Sequence, residues 1–222
     1  MPAKVGVLLS GCGVFDGAEI HESVSILIAL DRRGAQALCM APDAPLEEID
    51  HVSRKPTGAK RGVLAESARI ARGRIRDLKT VRVEEIDALI LPGGFGAARN
   101  LCSFAADGAD CRVHPQVESL LLAVRAAGKP IGLACIAPVI AARVFGAHGF
   151  SPRVSVGTDK GVADAIRSMN AVHVDVGPAD ICVDERNLLV TTPCYMNDVG
   201  PWTVFQGAEK MVEEVLRLAQ RR

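Results

Sequence analysis

The 222-residue chain balances 26 basic against 26 acidic side chains, which argues against the electrostatic footprint of a nucleic-acid or anionic-membrane binder. Hydrophobic residues make up 49% of it but aromatics only 4%, so Ala, Val, Leu and Ile must build the core, and the length suits one α/β domain spanning residues 1–222. Seven cysteines, an odd count without a CxxC pair, argue against a disulfide framework or a zinc cluster and fit a reducing cytosol.

In chain order, Val5–Ser10 reads as a buried strand, and its apolar run is too short for the core of a signal peptide. A helical pattern follows from about Gly17 to Arg33, closed by Gly34, and Ala35–Ala41 is the next strand. Residues Pro42 to Arg61 are rich in Pro and charge and read as an elaborated connection. Gly62–Arg72 suits a helix and Lys79–Val83 a short strand. Ala88–Leu91 is a strand ending at Pro92-Gly93-Gly94, and Pro115–Ala127 a helix stopped by Gly128. Then come a strand at Pro130–Ala134, a helix from Ile136, and short strands at Arg153–Gly157 and His173–Val176. Ile181–Val183 and Leu188–Thr191 read as a small β-hairpin, and an amphipathic helix covers about Pro201 to Ala219. The longest apolar run, Ile131 to Ala142, holds Gly132 and Pro138 and falls short of a membrane span, so the expectation is a soluble protein without a membrane partner. Near-continuous apolar strands alternating with helices imply a doubly wound, mainly parallel sheet covered on both faces. In such sheets the functional crevice lies beyond the carboxyl ends of the strands.

Residues at those ends are therefore the candidates. The stretch Lys129-Pro130-Ile131-Gly132-Leu133-Ala134-Cys135-Ile136-Ala137-Pro138 is a strand that stops at a cysteine and turns at once into a helix. Such a turn resembles a nucleophile elbow, and the positive end of the following helix is expected to favour thiolate at Cys135. The alternative is a packed core cysteine, which this position disfavours. After the first strand, Gly11-Cys12-Gly13-Val14-Phe15-Asp16-Gly17 nearly matches a dinucleotide fingerprint, but Asp16 stands where the third glycine belongs. A glycine-rich turn into the first helix is the better reading.

In that helix Ile20, Val24, Leu27 and Ile28 form an apolar stripe, and Ile26, Ala29 and Leu30 extend it almost all round, which predicts a buried helix. Glu22 lies one turn before Ile26, so its carboxyl should be buried, with a raised pKa suited to acid–base work near neutrality. Glu19 fits a helix-capping role better, and His21, about 100° away around the helix, fits a structural one. The glycines of Leu91-Pro92-Gly93-Gly94 offer bare backbone; the Gly94 and Ile136 N–H groups together could form an oxyanion hole, each donor worth about 2.7–4 kcal/mol. Cys12 and Cys194 also follow strands and are candidates for the pocket border, with Asp159 and Tyr195 as candidate substrate contacts.

Taken together, Glu22, the Pro-Gly-Gly turn and Cys135 in Cys-Ile-Ala-Pro resemble the ThiJ/PfpI superfamily. Ser10 through Glu22, Leu91 through Leu101, and Val190-Thr191-Thr192-Pro193-Cys194-Tyr195-Met196 are similar to its ElbB, or enhancing-lycopene-biosynthesis, group. The resemblance implies a flavodoxin-like fold, a homodimer, and a nucleophilic cysteine (Cys135) beside a protonated glutamate (Glu22), with oxyanion donors in the Gly93-Gly94 turn and at Ile136. Protease and amidase members carry a histidine directly after the cysteine, where this chain has Ile136. Other members place one where Gly157-Thr158-Asp159 stands here.

Cysteine with glutamate alone is similar to the glutathione-independent glyoxalases and deglycases. The reading that follows is a cofactor-independent enzyme taking a small reactive carbonyl, methylglyoxal or glyoxal, to a 2-hydroxy acid, without a metal and with low turnover. A second reading makes Cys135 an oxidisable sensor thiol, or the fold a regulatory binding module, in isoprenoid or stress metabolism.

Overall fold

The computed structural model describes residues 2–221. Strand β1 (Lys4–Leu8) leads into α1 (Ile20–Arg32) and β2 (Gln36–Ala41). A hairpin of β3 (Pro45–Asp50) and β4 (Lys55–Gly62) precedes α2 (Val63–Ile70), β5 (Ile75–Asp77) and β6 (Ala88–Leu91). Two short helices, α3 (Phe95–Arg99) and α4 (Phe104–Asp107), come before α5 (Pro115–Ala126), β7 (Ile131–Ala134) and α6 (Pro138–Ala147). The rest is β8 (Arg153–Val154), α7 (Lys160–Ser168), β9 (Val172–His173), β10 (Cys182–Asp184), β11 (Leu189–Thr192) and α8 (Pro201–Gln220).

Seven strands form one sheet in the order β10-β11-β7-β6-β1-β2-β5, parallel throughout except for the antiparallel edge pair β10–β11. The period-two alternation of side chains splits the core in two. Leu8, Leu89, Leu91, Ile131 and Leu133 pack with Leu121, Ile140 and Phe145 of α5 and α6. Val5, Val7, Ala88, Ile90 and Val190 pack with Ile26, Leu30, Met211 and Val215 of α1 and α8. Both faces are thus covered, as the apolar strands require, and the fold is the flavodoxin-like one. Gly34 (φ +68°) and Gly128 (φ +61°) close α1 and α5 in the left-handed conformation that glycine adopts without strain.

Several expectations change. Pro42–Arg61 contains the hairpin β3–β4, which pairs only with itself. Asp16 holds it down: its carboxylate is buried, accepts from the Ile49 N–H at 2.9 Å and pairs with Arg61 at 2.9 Å. The departure from the glycine fingerprint is therefore a staple for the hairpin. No strand lies at Lys79–Val83; two 3-10 turns, Leu78–Thr80 and Val83–Glu85, occupy that region. The strand comes just earlier, and Asp77 ends it by accepting from the Lys79 N–H at 3.0 Å. The strands expected at Arg153–Gly157 and His173–Val176 shrink to a two-residue parallel pair, β8–β9, outside the main sheet.

The first helix is not buried all round. Its inward face is Glu22, Ile26, Ala29 and Leu30, whereas Ile20, Val24 and Ile28 remain 44%, 41% and 49% exposed. That stripe leaves apolar side chains of α1 at the surface.

Candidate active site

The carboxyl ends of β11, β7, β6 and β1 lie side by side, at the place where the strand order reverses. Cys135 follows β7 directly. Its φ of +57° is left-handed, uncommon for a residue with a Cβ, and this aims the side chain out of the strand. The elbow is fixed by the Cys135 N–H donating to the Thr192 carbonyl at 2.9 Å and by the Ala137 N–H donating to the Ala134 carbonyl at 2.9 Å. The neighbouring turn makes room for it: a Cβ on Gly93 would collide with the Cys135 Cβ and the Glu22 carboxylate.

Glu22 sits fully buried in the first turn of α1. Its Oε2 accepts from the Gly93 N–H at 2.8 Å and its Oε1 from the Tyr195 N–H at 3.4 Å, and the Cys135 side chain lies against the carboxyl. Burial first, and the Glu19 charge second, push its pKa from 4.5 up to about 7, against the lowering effect of those hydrogen bonds. Glu19 caps α1 as expected: its carboxylate accepts from the Glu22 N–H at 2.7 Å, and its own N–H donates to the Gly93 carbonyl at 3.0 Å.

The expectation of a thiolate at Cys135 fails. Burial pushes this thiol well above its ordinary value, and the Glu22 and Cys194 charges add to the rise; only the Gly94 N–H on the sulfur opposes it. The reason lies in the helix start. Helix α6 begins at Pro138, three positions on, whereas a helix dipole acts mainly within its own first turn and is outweighed here by desolvation. Cysteine and glutamate thus form one buried pair competing for a proton.

Above the pair opens a cavity of about 450 Å³. Cys135, Gly94, Ile136, Glu19, Asp159 and Tyr195 all line it, so the chain brings together most of the residues singled out from sequence. Gly93 is different: its N–H is committed to Glu22 and is not free to hold an oxyanion. Cys12 is a correction too. It does not line the cavity but stands among Glu66, Asp16, Arg61 and Arg69, because the Gly11–Gly17 turn folds back on itself through the Gly13 N–H to Ala18 carbonyl bond and faces α2. Cys194, buried after β11 with φ +46°, touches the site only through its neighbours Glu22 and Cys135.

Asp159 caps α7 by accepting from the Val162 N–H at 2.9 Å. His21 Nδ1 and the Tyr195 hydroxyl share a hydrogen bond of 2.7 Å beside the cavity, a pairing hidden by their 174-residue separation. Phe95, Arg99, Phe104, Val162 and Met196 also belong to the lining and were not singled out from the sequence. Only the i, i+4 spacing of Phe95 and Arg99 on α3 could have flagged any of them.

No family model matches the chain. It is similar to the human glutamine amidotransferase-like class 1 domain-containing protein 3, mitochondrial, at 46% identity over 97% of this chain and 83% of that protein. Among solved structures, an isoprenoid biosynthesis protein with amidotransferase-like domain from Ehrlichia chaffeensis has a TM-score of 0.89 at 32% identity, covering 96% of this chain and 99% of that one. Glyoxalase III from Candida albicans has a TM-score of 0.62 at 15% identity over 97% of each chain, a likeness of fold. The human relative and the similar ES1 proteins of rat and zebrafish are all named mitochondrial, which overturns the cytosolic expectation. A cysteine set without a disulfide framework does not single out the cytosol.

Proposed function

The chain belongs to the glutamine amidotransferase-like class 1 and ES1 family, of the ElbB group within the ThiJ/PfpI superfamily, and from that premise we propose that it is a glutathione-independent glyoxalase-type enzyme. Its substrate would be methylglyoxal or another 2-oxoaldehyde and its product a 2-hydroxy acid. The observation that carries this reading is the contact between Cys135 and a glutamate poised near pH 7.

The raised thiol pKa assigns Glu22 its first task, that of general base. With its pKa raised toward neutrality Glu22 is available as a carboxylate, which takes the Cys135 proton as sulfur adds to the aldehyde carbon. The Ile136 N–H, joined by the Gly94 N–H as it leaves the sulfur that has lost its charge in bonding to carbon, stabilises the developing oxyanion, which then takes the proton back from Glu22 and becomes a hemithioacetal. Glu22 next removes the hydrogen on the former aldehyde carbon to give an enediol and returns a proton to the adjacent carbon, leaving a thioester. Water cleaves the thioester, releasing the hydroxy acid and the free thiol. The sum is substrate plus water, so no redox partner or cofactor is required.

Two main-chain donors, from Gly93 and Tyr195, orient the carboxyl. The sensor reading is less well supported, because thiol oxidation favours an exposed thiolate and Cys135 is 8% exposed with a raised pKa. We extend the proposal to a homodimer, for which Ile20, Val24 and Ile28 are the available apolar face.

Lactate formed from methylglyoxal without glutathione tests the reading. Sustained turnover that Cys135→Ala and Glu22→Gln both abolish is the expected result. A folded wild type that makes no lactate, while Cys135 is still alkylated, overturns it.

A further inference from the structure

The cavity is far larger than the few heavy atoms of methylglyoxal need. Its volume of about 450 Å³ lies in the range of pockets that hold drug-sized ligands, roughly 300–1,000 Å³. Much of the wall is apolar, from Val14, Phe95, Phe104, Ile136, Val162 and Met196. Of the three charged residues that line it, two carboxylates are engaged in capping: Glu19 accepts from the Glu22 N–H and Asp159 from the Val162 N–H. The third, Arg99, forms no ion pair among the described residues; its guanidinium lies 5.7 Å from the centroid of the Phe95 ring.

Phe95 and Arg99 also line a smaller recess of about 120 Å³, together with Phe15, Ile49, Arg54 and Pro56. Arg54 repeats the arrangement: it too is without an ion pair among the described residues, and its guanidinium lies 5.4 Å from the centroid of the Phe15 ring. The two phenyl rings are 6.3 Å apart. Two exposed guanidinium groups without an ion pair among the described residues, each within about 6 Å of an aromatic ring centroid, thus line one recess, an arrangement that suits an anion. Planar guanidinium forks match carboxylate and phosphate oxygens.

We propose that the Cys135 centre serves an amphiphilic carbonyl compound, with its reactive carbon at Cys135, its apolar body along the Phe95 and Phe104 wall, and a carboxylate or phosphate end between Arg99 and Arg54. The proposal rests on Cys135 being the reacting nucleophile and names the substrate class for that site.

The test reads Cys135 directly and needs no turnover. Its alkylation rates by iodoacetate and by iodoacetamide are measured in wild type, Arg99→Gln, Arg99→Lys and the Arg99→Gln/Arg54→Gln double variant. The iodoacetate-to-iodoacetamide ratio is expected to fall about threefold or more in Arg99→Gln, to fall further in the double variant, and to survive largely in Arg99→Lys. Octanoate and octyl phosphate are then tried as protectants of Cys135 against iodoacetamide, with octanol as the neutral control. Protection by one of the anions, lost in the double variant, supports the proposal and tells carboxylate from phosphate ester. An unchanged ratio, or protection by octanol equal to that by the anions, overturns the anionic end while leaving the nucleophile intact. No alkylation by either reagent overturns the nucleophile assignment and the proposal with it.

Discussion

Replacing Glu22 by Gln tests the buried carboxyl through the stability of the fold. In the unfolded chain this group titrates near 4.5, and in the folded protein burial and the Glu19 charge hold it up near 7. Between those values the folded state binds more protons than the unfolded one, so this group's contribution to stability falls as pH rises from about 4.5 to about 7. At about 1.4 kcal/mol per pH unit, the full loss comes to about 3 kcal/mol. Glutamine keeps the shape and an acceptor for the Gly93 N–H but cannot ionise. Titrating groups remote from the site are common to both proteins and cancel in the comparison. From pH 5 to pH 8 the variant is therefore expected to gain about 2–3 kcal/mol on the wild type, or about 5–10 °C in relative melting temperature for a chain of this size. Urea unfolding followed by far-ultraviolet circular dichroism is the suitable assay, because the single Trp202 is 68% exposed and reports little of the core. A difference that stays flat with pH, or grows in favour of the wild type, would refute the argument that burial holds Glu22 neutral.

Gly93→Ala should cost about 1–3 kcal/mol in chemical denaturation and abolish lactate formation, since the new methyl occupies the place of the Cys135 Cβ and the Glu22 carboxylate. Arg61→Leu takes the arginine partner at 2.9 Å from the buried Asp16 carboxylate and leaves Glu66 with Arg69 alone, and a loss of about 3 kcal/mol in the same assay is expected. Asp159→Ala removes the cap of α7 at about 1 kcal/mol, and retention of lactate formation in that variant would confine Asp159 to a structural role.

Much of the sheet is legible in the sequence because β1, β6, β7 and β11 are buried along almost their whole length and therefore read as mainly apolar runs. The hairpin is not: β4 is exposed along most of its length, so neither alternation nor apolar content marks Lys55–Gly62 as a strand, and only pairing with the neighbouring β3 makes it one. The short strand β5 is set by its parallel partner β2 and ends at the Asp77 cap, which local propensity placed a few residues too late. At the site, Glu22 was readable from its column on α1, whose buried members Ile26 and Ala29 recur at helical spacing. The protonation of Cys135 was not, because it depends on how deeply the elbow sinks beneath Gly94 and Tyr195, a depth that sequence spacing does not encode. Arg99 escaped notice for a related reason: its role depends on which carboxylates are already engaged elsewhere.

The hairpin β3–β4 has a consequence for how such a protein changes over time. It shares no strand with the main sheet and is fastened by the Asp16 carboxylate, by Arg61 and by the Phe15 N–H donating to His51 at 3.3 Å. Its tip carries Arg54, and its two strands contribute Ile49 and Pro56 to the recess beside the cavity. The bond-making groups, by contrast, are rooted in β6, β7 and α1. On the proposed reading, the chemistry and part of the selectivity would reside in separate pieces of chain. The hairpin is an interchangeable cassette: its length and charge can be rewritten to admit a different molecule while the cysteine and glutamate beneath go on working unchanged.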